Sequence, residues 1–180
     1  MSYKERLIAT VIDNSVSNYW DTAVLEWEIT GWDEANSGES YSCICGKEDI
    51  IKLFTITNYK TKISLEPIGS RCIQRFGRTD LIDETSVLEK MFDLQTAYES
   101  NQFIELNSKF FSRKSLEYMY NNGAFRDTTY GTGYETYQFL LDMFNKHNQP
   151  TAGQQRKIRA HIMNDVRPYC KQLMVDKVKK

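Results

Sequence analysis

The stretch CICGKEDIIKLFTITNYKTKISLEPIGSRC, residues 43–72, contains the clearest structural pattern in the chain. Residues 50–57 (IIKLFTIT) are rich in β-branched and aromatic side chains, and residues 62–67 (KISLEP) alternate apolar with polar residues. Residues 58–61 (NYKT) between them have the composition of a turn. These features predict a β-hairpin. Because a short hairpin is not stable alone, we expect other elements to cover it.

Three of the four cysteines, Cys43, Cys45 and Cys72, flank this hairpin. If pairing is symmetric about residues 58–61, Cys72 falls opposite a position two residues past Cys45. Gly46 and Gly69 supply the backbone freedom that a chain needs to wrap around a metal. Thiolates are soft ligands that suit a tetrahedral Zn²⁺. The sequence therefore predicts a structural zinc in a zinc-ribbon-like site held by the three cysteines.

The fourth zinc ligand is left open by the sequence. The candidates are Cys170, His161, His147, Asp49, Glu48 and a water molecule. Cys170 follows Tyr169 in an apolar helical stripe and is equally well explained as a buried helix cysteine. Two other interpretations of the cysteine group are small buried hydrophobic residues and a catalytic thiol. A catalytic thiol needs a basic partner, and both histidines lie far along the chain.

The remainder of the sequence has mostly helical periodicity. Trp20, Val24 and Trp27 are spaced as one apolar stripe, which predicts a helix within residues 17–29. Further helices are predicted to begin near residues 86, 112, 135 and 151. We therefore predict an α+β fold, mostly helical, with one small antiparallel β-hairpin that bears the metal site. The prediction is one domain over 1–180, with a helix and zinc-bound hairpin module at 19–79 and a helical part at 80–180.

Composition is that of an ordered globular protein. The 180 residues are 41% hydrophobic and 13% aromatic and include only three prolines, which argues against disorder. The first residues lack a signal-peptide pattern, and no apolar run approaches the ~20 residues that cross a bilayer. We expect a monomer in the cytoplasm, with no membrane partner. In a reducing compartment, thiols and metal thiolates are favoured over disulfides.

Charge is distributed unevenly although the net charge is −1. Residues 1–50 carry three Lys/Arg against ten Asp/Glu, a net charge of −7. Residues 151–180 carry eight Lys/Arg against two Asp, a net charge of +6. The basic C-terminal segment is a candidate for contact with an acidic partner. The alternative is a solvated helix face whose charge is offset by the acidic segment of the same molecule.

Motifs typical of common enzyme classes are missing from the sequence. There is no GxxxxGK[ST], HExxH, GxSxG or GxGxxG, and we predict that the protein is not an enzyme.

The segment FRDTTYGTGYETY (125–137) is a candidate binding surface, because Gly131 and Gly133 predict a loop that presents Tyr130 and Tyr134 outward. Exposed tyrosines suit a protein interface, and they also suit base stacking in single-stranded nucleic acid.

The segment from Trp20 through CICGK, TITN and PIGSRCIQRFGR resembles a small cysteine module of proteins from phages and other mobile elements. The chain as a whole resembles phage-encoded type II-A anti-CRISPR proteins. The resemblance implies an inhibitor in the host cytoplasm that binds the RNA-guided type II CRISPR nuclease and hinders target-DNA loading or cleavage. It also implies that Cys43, Cys45 and Cys72 are the metal ligands.

Two sets of side chains are the candidates for binding such a partner, one acidic and one aromatic. They are Glu26, Glu28, Asp33, Glu34, Tyr130 and Tyr134. Acidic groups complement a nuclease lined with Lys and Arg, and tyrosines serve as anchors. The alternative function is that of a mobile-element nucleic-acid-binding protein, which would use the zinc ribbon and the basic C-terminal helix to contact phosphates.

Overall fold

The computed structural model describes residues 1–178 and the surroundings of the side chains of residues 1–173. The chain forms two compact units, Met1–Ser86 and Val87–Lys180. The fold class is α+β, mostly helical with one small antiparallel sheet, as the sequence predicts. Within residues 1–178, no helix has the length and apolar character that would let it cross a membrane.

The first unit is built around a three-stranded sheet. Its elements are α1 (Tyr3–Asp13), α2 (Trp20–Ala23), a 3-10 turn (Val24–Glu26), β1 (Trp27–Glu34), β2 (Lys52–Asn58), β3 (Ser64–Ile68), α3 (Ser70–Gln74) and the first part of α4 (Thr79–Glu99). The strands are antiparallel in the order β1-β2-β3. Trp27, Phe54, Ile56 and Ile68 point to one face and are fully buried. The alternation of strand side chains therefore gives this sheet one core face.

The hairpin of β2 and β3 confirms both predicted strands and the position of the turn, but the predicted register is wrong. The connection covers residues 59–63, and Asn58 Oδ1 accepts the backbone N–H groups of Lys60 and Thr61. The register also shifts between Phe54 and Ile56, so Phe54 pairs with Ile68. Because the loop is longer than predicted and the ladder is irregular, each residue of β3 pairs with a different residue of β2 from the one that symmetric pairing predicts.

The predicted helix within residues 17–29 is wrong in its second half. The α-helix stops at Ala23, and Trp27 begins β1, where it pairs with Asn58 of β2. Trp20 and Trp27 still both contact the core of this unit, Trp20 by an edge-to-face contact with Phe76. The apolar spacing was correct as a signal of burial. Pairing with β2 decided the local conformation, because strand propensity depends on tertiary context.

The second unit is helical. It contains the rest of α4, α5 (Arg113–Asn121), α6 (Gly133–Asn145), α7 (Ala152–His161), a π-helical turn (Ile162–Val166) and α8 (Arg167–Val178). Capping boxes at Ser112, Thr132 and Thr151 begin α5, α6 and α7. The π turn ends just before Pro168, whose missing N–H cannot continue the hydrogen-bond ladder. The predicted start near residue 86 is wrong, because α4 begins at Thr79, soon after Gly77 with its φ of +68°.

Candidate metal centre

The thiol groups of Cys43, Cys45 and Cys72 converge in the first unit. Their Sγ atoms all lie within 4.8 Å of one another, and the Sγ atoms of Cys43 and Cys72 are 3.7 Å apart. All three thiols are free, since a disulfide would bring two sulfurs to ~2.05 Å. Around a tetrahedral ion with metal–sulfur bonds of ~2.3 Å, neighbouring sulfurs lie ~3.8 Å apart. The cluster can therefore hold a metal ion with little movement of its ligands.

A tight turn brings the first two cysteines together. The N–H of Gly46 donates to the carbonyl of Cys43 at 2.6 Å, and the N–H of Cys43 donates to the carbonyl of Lys47 at 2.8 Å. Gly46 has a φ of +89°, in the left-handed region that favours glycine. The Arg6 side chain also packs where a Cβ at this position would lie. The backbone conformation therefore favours glycine after Cys45, whereas the exposed end of the Arg6 side chain could move to make room for a Cβ.

The third cysteine reaches the cluster from helix α3, not from a continuing strand. The N–H of Ile44 donates to the carbonyl of Pro67 at 2.9 Å, which ties the cysteine turn to the end of β3. Gly69 is the N-cap of α3, and the Cys72 N–H donates to its carbonyl at 2.9 Å. The predicted convergence of the three cysteines is thus confirmed, although the route by which Cys72 returns differs from the predicted one.

The cluster is buried and has its own hydrogen bonds. The exposed fractions of Cys43, Cys45 and Cys72 are 4%, 2% and 9%. The thiols of Cys43 and Cys72 are hydrogen-bonded to each other, and the Gly69 N–H donates to Cys43 Sγ at 3.3 Å. The bond with Cys72 is the main reason that the pKa of Cys43 falls well below the ordinary value for a thiol, and it raises the pKa of Cys72. The Gly69 N–H is the kind of donor that stabilises a metal-bound thiolate from the outer shell of a metal–thiolate centre.

The predicted candidates for a fourth ligand lie in different surroundings. Asp49 lines a cavity of about 350 Å³ together with the three cysteines, and its carboxylate accepts a hydrogen bond from Ser40 Oγ at 2.8 Å. Glu48 and His147 are exposed. His161, on α7, lies 2.7 Å from Asp165, and Cys170, on α8, is only 3% exposed. Burial raises the pKa of Cys170 to about 12, so this thiol behaves as a buried helix cysteine.

Glu26 does not lie on the surface, so its prediction as a partner-binding residue is wrong. Its exposed fraction is 1%. The carboxylate accepts the N–H groups of Val16 (2.9 Å) and Ser17 (3.1 Å), Asn58 Nδ2 (2.9 Å) and Lys60 Nζ (3.4 Å). Burial by itself would raise the pKa of Glu26, but these four donors outweigh it and lower the pKa to about 2. Glu26 is a structural carboxylate that ties α1's C-terminal loop to the sheet.

The other predicted partner-binding residues are at least partly exposed. Glu28 and Asp33 are exposed on β1, an edge strand, and Glu34 at its end is half-buried. Tyr130, in the turn closed by the Thr128–Gly131 bridge, is 99% exposed. Tyr134, in the first turn of α6, is 54% exposed and packs edge-to-face on Tyr120 with ring centroids 5.8 Å apart. The Tyr130 side chain is therefore fully accessible to a partner, whereas part of the Tyr134 ring is covered by its packing on Tyr120.

Comparisons of the chain with protein-family models, with curated proteins and with solved structures found no match. The site itself defines the class: an α+β protein with a buried Cys₃ cluster that can bind a metal ion.

Two features of the first unit were missed by reasoning from the sequence. The Glu26–Asn58 pair joins residues 32 positions apart, and its only sequence signal is a glutamate within the apolar segment AVLEW (23–27). The packing of Arg6 against Gly46 has no local signal at all, because the two residues meet only when α1 folds against the cysteine turn.

Proposed function

We propose that the protein is a non-catalytic inhibitor that binds the RNA-guided type II CRISPR nuclease in the host cytoplasm and hinders target-DNA loading or cleavage, with one structural Zn²⁺ in the Cys₃ cluster. The observation that carries the proposal is the excess of exposed carboxylates among residues 1–50 of the first unit. The resemblance of the sequence to type II-A anti-CRISPR proteins supplies the identity of the partner.

Zinc is the metal that the donor set supports best. Three thiolates form a soft ligand set, and zinc accepts such a set in tetrahedral geometry without redox chemistry. The cysteine turn, the end of β3 and α3 are all held at the cluster by short hydrogen bonds. A metal there would cross-link these three segments, so its role would be to stabilise the first unit.

Most of the carboxylates of residues 1–50 are accessible to a partner. Eight of the ten Asp/Glu side chains in this segment are exposed, Glu34 is half-buried and Glu26 is buried. Glu28 and Asp33 stand on the edge strand β1, where an incoming chain has direct access. A CRISPR nuclease holds its guide–target duplex in a channel rich in Lys and Arg. Charge complementarity of this kind accelerates encounter and selects the partner.

Tyr130 supplies a second contact type. A fully exposed tyrosine on a hydrogen-bonded turn loses little conformational entropy when it enters a pocket, and tyrosine is enriched among interface hot spots. On this proposal the carboxylates govern the rate of association and Tyr130 governs the rate of dissociation. Replacing Tyr130 by Ala is expected to cost about 1–3 kcal/mol of binding free energy.

The test mixes purified protein with guide-loaded nuclease and measures co-elution, target-DNA binding and cleavage. We expect a stoichiometric complex and reduced cleavage, with association slowed by Glu28→Lys and Asp33→Lys in a salt-dependent way. Charge reversal at Asp142, an exposed carboxylate on α6, is the control for a nonspecific charge effect. Undiminished cleavage at excess protein and the absence of a complex would refute the proposal. A complex that still loads DNA would place the block at cleavage.

A nucleic-acid-binding function is the second candidate, because α7 exposes Arg156, Lys157 and Arg159. Contacts between these cations and phosphates would make the affinity for DNA fall steeply with salt. The same mixture distinguishes the two functions. Salt-sensitive DNA binding without nuclease would favour the second candidate, and a complex with the nuclease in the absence of DNA binding would favour the first.

A further inference from the structure

The cysteine cluster opens onto a cavity of about 350 Å³ in the first unit. All three cysteines line it, together with Ile50 and Ile51 as apolar wall and three cationic residues, Lys47, Lys52 and Arg71. Its volume is at the small end of the ~300–1,000 Å³ typical of ligand sites. An ion held by the three thiolates would therefore have one side facing a space that accommodates a small molecule.

From this arrangement we infer that the metal centre takes a small anionic thiol as its fourth ligand, bound in the cavity between Lys47 and Arg71. The inference rests on the proposed metal centre and deepens it by naming a ligand class. In the binding step the thiol loses its proton to solvent, its sulfur forms a bond to the metal, and any water on that position leaves. No electron is transferred.

Three properties of the site favour a thiol of this class. The three protein thiolates make the centre soft, so a fourth sulfur is preferred over a carboxylate oxygen. A divalent ion with three thiolates carries a net charge of −1, and a fourth thiolate adds another negative charge. Lys47 and Arg71 line the same cavity and offset that charge. Their cationic groups also attract carboxylates elsewhere on the ligand.

Asp49 is the side chain that competes for this position. It lines the cavity, but its carboxylate accepts a hydrogen bond from Ser40 Oγ at 2.8 Å, and it does not belong to the group of ligand atoms within 4.8 Å of one another. Among the side chains of residues 1–173, that group consists of the three cysteine sulfurs. Asp49 therefore forms part of the wall in this arrangement, and an Asp49→Asn variant tests whether it also coordinates.

The experiment loads the full chain with Co²⁺, whose absorption reports the number and type of ligands. Three probes are titrated: reduced glutathione, S-methylglutathione, which keeps the charges without the thiol, and 2-mercaptoethanol, which keeps the thiol without the charges. We expect glutathione to raise the sulfur-to-cobalt charge-transfer absorbance saturably by about one third, because three thiolates become four. S-methylglutathione should leave the spectrum unchanged. Gel filtration after each titration confirms that the protein retains its metal.

The cationic side chains are tested by Lys47→Gln and Arg71→Gln. Each should raise the half-saturating concentration of glutathione about two- to fivefold, the range for exposed charge pairs, and leave that of 2-mercaptoethanol unchanged. Arg75→Gln, which removes an exposed cation just beyond α3, is the matched control and should have no effect on either titration.

Several results would overturn the inference. They are a spectrum that no thiol changes, a spectrum that S-methylglutathione changes as glutathione does, and an Asp49→Asn spectrum that differs from the wild-type spectrum before any ligand is added. A chain that binds neither Co²⁺ nor Zn²⁺ would instead refute the metal centre itself, and with it this inference. The nuclease assay is read separately, so failure of the thiol ligand and failure of the inhibitor proposal remain distinguishable.

Discussion

Replacing Glu26 by Gln should destabilise the first unit by about 3 kcal/mol near neutral pH. The folded-state pKa of Glu26 is about 2, against an ordinary value of 4.5. Because a tenfold change in proton affinity is worth ~1.4 kcal/mol, this difference corresponds to about 3 kcal/mol of stability. The geometry agrees in magnitude. A glutamine amide would place N–H groups where one carboxylate oxygen now accepts two donors, and each unsatisfied donor costs ~1–3 kcal/mol.

The sign of the pH dependence follows from the lowered pKa. The contribution of Glu26 is complete above about pH 4.5 and is lost as the pH falls toward 2, because the proton then binds the unfolded chain more tightly than the folded one. The stability difference between the wild type and Glu26→Gln should therefore shrink over this range. Metal loss in acid affects both proteins alike, so the difference between them isolates the contribution of Glu26.

Urea unfolding followed by tryptophan fluorescence is the appropriate assay. All three tryptophans, Trp20, Trp27 and Trp32, lie in the first unit, so the signal reports that unit selectively. Glu28→Gln, at an exposed position two residues further on in β1, is the control and should change the free energy of unfolding by less than ~0.5 kcal/mol. A difference between wild type and Glu26→Gln that stays constant from about pH 7 to about pH 3 would refute the reasoning.

Three further predictions concern the metal centre and the second unit. Cys72→Ser should abolish stoichiometric zinc in elemental analysis and lower the melting temperature, since thiolate zinc sites contribute ~10–16 kcal/mol in small peptides; unchanged metal content and melting temperature would contradict the structural zinc. Gly46→Ala and Gly38→Ala should both lower stability, because both glycines have a φ near +90°, but only Gly46→Ala should also weaken zinc binding, because Gly46 lies in the turn that positions Cys43 and Cys45; an unchanged zinc affinity in Gly46→Ala would contradict this role of the turn. Ser112→Ala should remove the cap of α5 at a cost of about 1 kcal/mol. We expect the helical circular dichroism to be lost at a lower urea concentration, while the urea midpoint of the tryptophan fluorescence stays the same. A shift in the fluorescence midpoint would show that the two units unfold together.

Local patterns in the sequence were sufficient for several elements. Strands β2 and β3 and the caps at Ser112 and Thr151 were predicted correctly, because each depends on residues within a few positions of one another. The cysteine cluster was predicted for a related reason. Two of its thiols are separated by one residue, and a hairpin of any register brings its two ends close together.

The tertiary structure alone decided the features that depend on distant partners. Trp27 lies in an apolar stripe that fits a helix, yet it begins β1 because β2 offers a row of backbone partners. Glu26, an unremarkable acidic residue in the sequence, is buried because Asn58 meets it from 32 positions away. Cys72 reaches the cluster on α3 because an irregular ladder and a longer loop reset the hairpin register. Short-range propensities differ by ~1 kcal/mol or less per residue, and the pairing and burial supplied by a distant segment exceed that difference.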